Sequence, residues 1–78
     1  VSHEIKIDSS NQKYIEVETV NGVESLRVTF VEDGFTGKPC LRFNIRPHGK
    51  SPRPGPEFEI DYAPDLLSAI TQLLMDAK

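Results

Sequence analysis

Apolar and polar residues alternate with a period of two through most of the first 61 positions, and the period then changes to that of a helix. Successive strand side chains point to opposite faces, whereas helical ones return every 3.6 residues, so the change divides the chain into two kinds of structure. Ile15 and Val17 alternate with Glu16 and Glu18. Leu26, Val28 and Phe30 alternate with Arg27 and Thr29, and Leu41, Phe43 and Ile45 with Arg42, Asn44 and Arg46. With Ile5 and Ile7 before them and Phe58 and Ile60 after, the pattern predicts five strands at about 4–8, 14–20, 24–31, 40–46 and 57–61. Each has one dry and one wet face, as in an antiparallel sheet covered on one side.

The connections set the order. Asn21-Gly22 predicts a two-residue type I′ hairpin turn, which needs positive φ at both central positions. Counting back from it places Val17 opposite Leu26, Ile15 opposite Val28 and Glu16 opposite Arg27, so apolar meets apolar and acid meets base. Glu32 to Lys38, with Gly34 and Gly37, reads as a longer hairpin. Pro47 to Pro56 holds four prolines and two glycines and has no place in a central strand. Pairing Ile45 with Phe58 sets Arg46 beside Glu57 and Arg42 beside Asp61.

Past Tyr62, Leu66, Leu67, Ile70, Leu73, Leu74 and Ala77 form a stripe at helical spacing. Pro64 suits a first helical turn and Asp65 its positive dipole end. The expected fold is α+β: an antiparallel meander of about five strands with one C-terminal amphipathic helix, about 64–77, packed on its dry face. The other side of the helix carries Ser68, Thr71, Gln72 and Met75 with almost no charge, which makes it either a self-dimer contact or a plain exposed face.

Seventy-eight residues make one domain, 1–78, marginal in core size and helped by dimerisation. A single cysteine forms no internal disulfide, and no charged-then-apolar leader is seen, so a reducing cytoplasm is the expected setting. No apolar run reaches the roughly 20 residues that span a bilayer.

The net charge is −3, yet between Lys38 and Pro56 there are five cations and no carboxylate. Lys38, Arg42, Arg46, Lys50 and Arg53 can follow a phosphate backbone, because the even spacing of the first three puts them on one strand face. The competing reading is a lattice of ion pairs on the wet face, each worth about 0–1 kcal/mol. Lys38, Lys50 and Arg53 lack partners in the expected register. Phe43 and Phe58 point inward by parity, which leaves Phe35 and Tyr62 as the aromatics able to stack on bases.

The second half is similar to the positive-cofactor-four family of transcriptional coactivators. The resemblance lies in Leu41-Arg42-Phe43-Asn44-Ile45-Arg46, a Pro/Gly/basic loop, Phe58-Glu59-Ile60-Asp61, and Pro64 leading into Leu66–Leu74. It implies a curved antiparallel sheet with a C-terminal helix, a homodimer, and a groove for single-stranded or melted DNA contacted by Arg42, Arg46, Lys50 and Arg53. The chain departs from the family in having Gly55-Pro56-Glu57 where a basic residue precedes the last strand, and in having no Trp.

Other chemistry finds little footing. His3, His48 and Cys40 do not make a zinc set, and no cofactor motif is present. Cys40 between Lys38 and Arg42 is either an activated thiol or, far more commonly, a packing residue. Glu57, Glu59 and Asp61 lack the loop of a calcium site. The expectation is a non-enzymatic, metal-free protein that binds single-stranded nucleic acid, with a protein-interaction module using the helix face or a sheet edge as the alternative.

Overall fold

The computed structural model describes residues 3–77. Five strands form one antiparallel sheet in sequence order: β1 (Lys6–Ile7), β2 (Lys13–Val20), β3 (Glu24–Val31), β4 (Cys40–Pro47) and β5 (Glu57–Glu59). A 3₁₀ turn (Ile60–Tyr62) leads without a loop into α1 (Ala63–Asp76). The α+β meander is therefore as expected. β1 is shorter than expected because Asp8 turns the chain: its Oδ1 accepts the backbone N–H groups of Ser10 and Gln12, both at 2.9 Å.

The β2–β3 register matches the count from the sequence, with Val17 opposite Leu26, Ile15 opposite Val28 and Glu16 opposite Arg27. The turn itself differs. Gly22 alone takes a positive φ, of 74°, while Asn21 does not, and a bulge between Glu18 and Val20 sets Val20 opposite Glu24. The connection is thus a bulged hairpin and not a type I′ turn, with Val23 N–H bonded to Val20 C=O at 2.9 Å. The β4–β5 register also differs: Leu41 faces Phe58 and Arg42 faces Glu57, four residues along β4 from the expected pairing. The Pro47–Pro56 loop itself occupies the edge of β4 beside Ile45, where Arg53 forms an isolated bridge, and so displaces β5 toward Cys40.

Two further expectations are overturned. First, the polar face is the better covered one. The buried residues are Ser25, Thr29, Val31 and Cys40, which lie by register on the same face as Arg42 and Arg46. Tyr14, Glu16, Arg27 and Arg46 share this face by register, and Arg27 stacks on Tyr14, so long side chains shield the small residues between them. Second, α1 does not cover the apolar face. None of its residues is buried, its main tertiary contact is the preceding 3₁₀ turn, and Leu73 at the centre of its stripe is 71% exposed. Because β5 runs straight through the 3₁₀ turn into α1, no linker lets the helix double back. The radius of gyration, 13.5 Å, exceeds the roughly 11.5 Å of a compact chain of this length.

Candidate nucleic-acid interface

The Pro47–Pro56 loop is laid along β4, not left to float. Arg53 N–H bonds Ile45 C=O at 2.8 Å, and Phe43 N–H bonds Pro56 C=O at 2.9 Å. The Asn44 side-chain amide donates to the Arg53 carbonyl at 2.7 Å. Gly55 makes this fit possible, since a Cβ there would collide with the Phe43 carbonyl oxygen. The free backbone groups of an edge strand are thereby satisfied, and the proline residues fall where no ladder donor is required.

Opposite this loop stands the β3–β4 hairpin, whose tip carries Phe35, 96% exposed. Backbone bonds from Gly34 N–H to Lys38 C=O at 3.0 Å and from Gly37 N–H to Gly34 C=O at 2.9 Å hold the tip. Between the hairpin and the loop lies a groove of about 540 Å³, lined by Phe35, Thr36, Arg42, Asn44, Pro54 and Glu57.

Three of the five expected cations are engaged by carboxylates. Arg42 Nε lies 2.5 Å from Glu57 Oε2, Arg46 Nη1 3.4 Å from Glu16 Oε1, and Lys38 Nζ 3.8 Å from Glu59 Oε1. Glu16 also takes Arg27 Nε at 3.5 Å, and the Arg27 guanidinium stacks 4.0 Å above the Tyr14 ring. The strand arginines thus belong in good part to an ion-pair lattice. Arg46 is held by Glu16 across the sheet and not by Glu57, as the shifted register dictates. Lys50 and Arg53 make no ion pair among the described residues, and both are exposed.

Engagement does not exhaust Arg42. Only its Nε–H is committed, and its side chain remains 39% exposed, so its other N–H groups are available at the groove. The Glu57 carboxyl is held below the usual glutamate range, chiefly by the Phe35 backbone N–H and next by Arg42. Burial, and then the neighbouring Glu57 carboxylate, push the Cys40 thiol up. Cys40, 2% exposed, is therefore a packing residue, and the activated-thiol alternative is set aside.

Sequence reasoning missed Asn44 as a loop anchor and Glu57 as a partner of Phe35. A signal for the second existed: Glu57 is the first acid after an acid-free stretch of 23 residues, 34–56. The helix residues Ser68, Thr71, Gln72 and Met75 are exposed, but so are Leu67, Ile70, Leu73 and Leu74, so their side of α1 is not singled out. Thr71 Oγ1 bonds Leu67 C=O at 2.9 Å and is locally satisfied. Among the described residues no three His, Cys, Asp or Glu side chains gather as a metal site, and no helix is long and apolar enough to cross a membrane. No known family model, curated protein or solved structure matches the chain.

Proposed function

We propose that the protein is a non-enzymatic binder of single-stranded nucleic acid, with the groove between Phe35 and the Pro47–Pro56 loop as its contact. The observation that carries this reading is the exposed Phe35 ring at one wall of a groove that also presents Arg42, while Lys50 and Arg53 on the loop make no ion pair among the described residues. Aromatic stacking contributes about 1–3 kcal/mol per base in single-strand binders and tolerates any sequence. Cations beside it supply the phosphate term. A groove walled by one ring suits unpaired bases better than a rigid duplex. A role at melted DNA in transcription is in keeping with the resemblance noted from the sequence, and a reducing cytoplasmic setting with the single thiol.

The deciding experiment is anisotropy titration of labelled single- and double-stranded oligonucleotides at two salt concentrations. Tighter binding of single strands, weakening with salt, supports the proposal. Salt-independent or absent binding removes it.

A second reading, self-association, is favoured by a separate observation. The chain exposes 6150 Å², against about 4,700 Å² for a compact folded chain of this mass. The excess, about 1,400 Å² per chain, is of the size covered in an obligate dimer. Two apolar surfaces of the same chain lie uncovered: the Leu67, Ile70, Leu73 and Leu74 stripe of α1, and the sheet face, with a depression of about 260 Å³ bordered by Ile5, Ile15, Val28, Phe30 and Leu41. A second copy supplies the complement to each. We therefore place the dimer contact on the apolar stripe, not on Ser68, Thr71, Gln72 and Met75.

A further inference from the structure

The geometry points to Glu57 as a positioning residue of the groove, one carboxylate that anchors the Phe35 tip and orients the Arg42 guanidinium so that a base and its phosphate meet contacts already in place. This inference rests on the nucleic-acid reading above. Glu57 Oε1 accepts the Phe35 backbone N–H at 3.0 Å, and Oε2 accepts the Arg42 Nε–H. The Cys40 thiol lies 3.4 Å from Oε1 and supplies a third donor from below. Phe35 and Glu57 are 22 positions apart in sequence, so the bond fastens the hairpin tip to β5 across the end of the sheet.

The order of exposure matters. The Glu57 side chain is 15% exposed, whereas that of Arg42 is 39% exposed. The carboxylate therefore lies beneath and the guanidinium above, with the uncommitted Arg42 N–H groups free to meet a phosphate oxygen. Gly34, next to Phe35, is packed so closely on Cys40 that a Cβ there would collide with its Sγ, which removes another freedom from the tip. Preorganising an aromatic and a cation in this way lowers the ordering cost of binding.

A positioning role and a purely electrostatic one make opposite predictions. A carboxylate near a phosphate site repels the ligand, so its neutralisation alone would tighten binding. Wild type, E57Q and E57D are titrated with a labelled oligo(dT) of about 15 nucleotides. The expected result is that E57Q binds more weakly by about fivefold or more, the low end of one lost base stack, despite losing a negative charge. E57D keeps the charge but not the reach, and is expected to weaken as well. The loss from E57Q should shrink in a Phe35→Ala background, because part of it acts through that ring.

E57Q binding as well as wild type or better, or losses that simply add in the double variant, overturns the inference while leaving the nucleic-acid reading intact. Failure of wild type to bind oligo(dT) instead removes that reading and the inference with it. Should E57Q lose the circular dichroism of the sheet, E57D alone and combined with Phe35→Ala carries the same comparison.

Discussion

Asn44 and Arg53 are joined by a hydrogen bond from the Asn44 side-chain amide to the Arg53 carbonyl, at 2.7 Å, across the edge of the sheet. A β4 side chain thus holds the backbone of a proline-rich loop, and Arg53 enters solvent from a fixed base. Asn44→Ala is expected to cost about 1 kcal/mol, the usual net worth of one hydrogen bond, as a lower urea midpoint. It should also weaken oligonucleotide binding. Unchanged binding would show that loop attachment is irrelevant to the groove.

Gly55→Ala tests the same attachment by steric means. The added methyl meets the Phe43 carbonyl, which belongs to the sheet and cannot swing aside. A loss of about 1–3 kcal/mol, typical of overpacking, is expected in chemical denaturation. A wild-type midpoint would mean that the loop lifts off β4 at little cost.

Lys50→Ala and Arg53→Ala remove cations that pair with no carboxylate among the described residues. Each is expected to reduce the slope of log K against log salt by about 0.7, the value for one phosphate contact on a single strand. Glu59→Gln, which frees Lys38, should leave affinity unchanged or raise it. Equal slopes for Lys50→Ala, Arg53→Ala and wild type would place the contact elsewhere.

The sequence made the β2–β3 register legible because two independent pairings agree there: Glu16 with Arg27, and Val17 with Leu26. It did not specify the turn, since Asn21-Gly22 also fits a bulged hairpin with only Gly22 at positive φ. The β4–β5 register was illegible for a physical reason. Between Arg46 and Glu57 the chain gives no count, because the loop itself takes up part of the β4 edge through Arg53. Amphipathicity in α1 announces that its stripe needs cover, but not that the sheet of the same chain leaves it exposed. The ion pairs of Arg42 and Arg46 were readable as a type but not in their acceptors, which are Glu57 and not Asp61 for Arg42, and Glu16 and not Glu57 for Arg46.

Leu73→Glu in the exposed stripe of α1 separates self-association from an isolated helix. The melting temperature of wild type should rise with protein concentration, as it does when folding is linked to assembly. That dependence should vanish in Leu73→Glu, with a smaller mass in sedimentation. Gln72→Glu should leave both unchanged. A concentration-independent wild type would exclude the dimer.

Falling pH should loosen the hairpin tip, but only below the range in which an ordinary glutamate titrates. The carboxyl of Glu57 titrates below its ordinary value of 4.5 because the folded chain offers it the Phe35 N–H and then Arg42. Its contribution is therefore fully present above that ordinary value and disappears as pH falls through the lower, folded-state value. Glu57→Gln should flatten this part of the stability profile, with wild type and variant converging at the acid end. A stability profile of the same shape in both chains would show that the anchor contributes nothing.

The seclusion of Cys40 has a practical use. Its thiol sits under the hairpin, short of water and reluctant to ionise, so an alkylating reagent reaches it only when the hairpin end of the sheet opens. The rate of labelling is then a built-in clock for that opening. Saturating oligonucleotide should slow it, in a chain that needs no added dye or foreign residue to be watched.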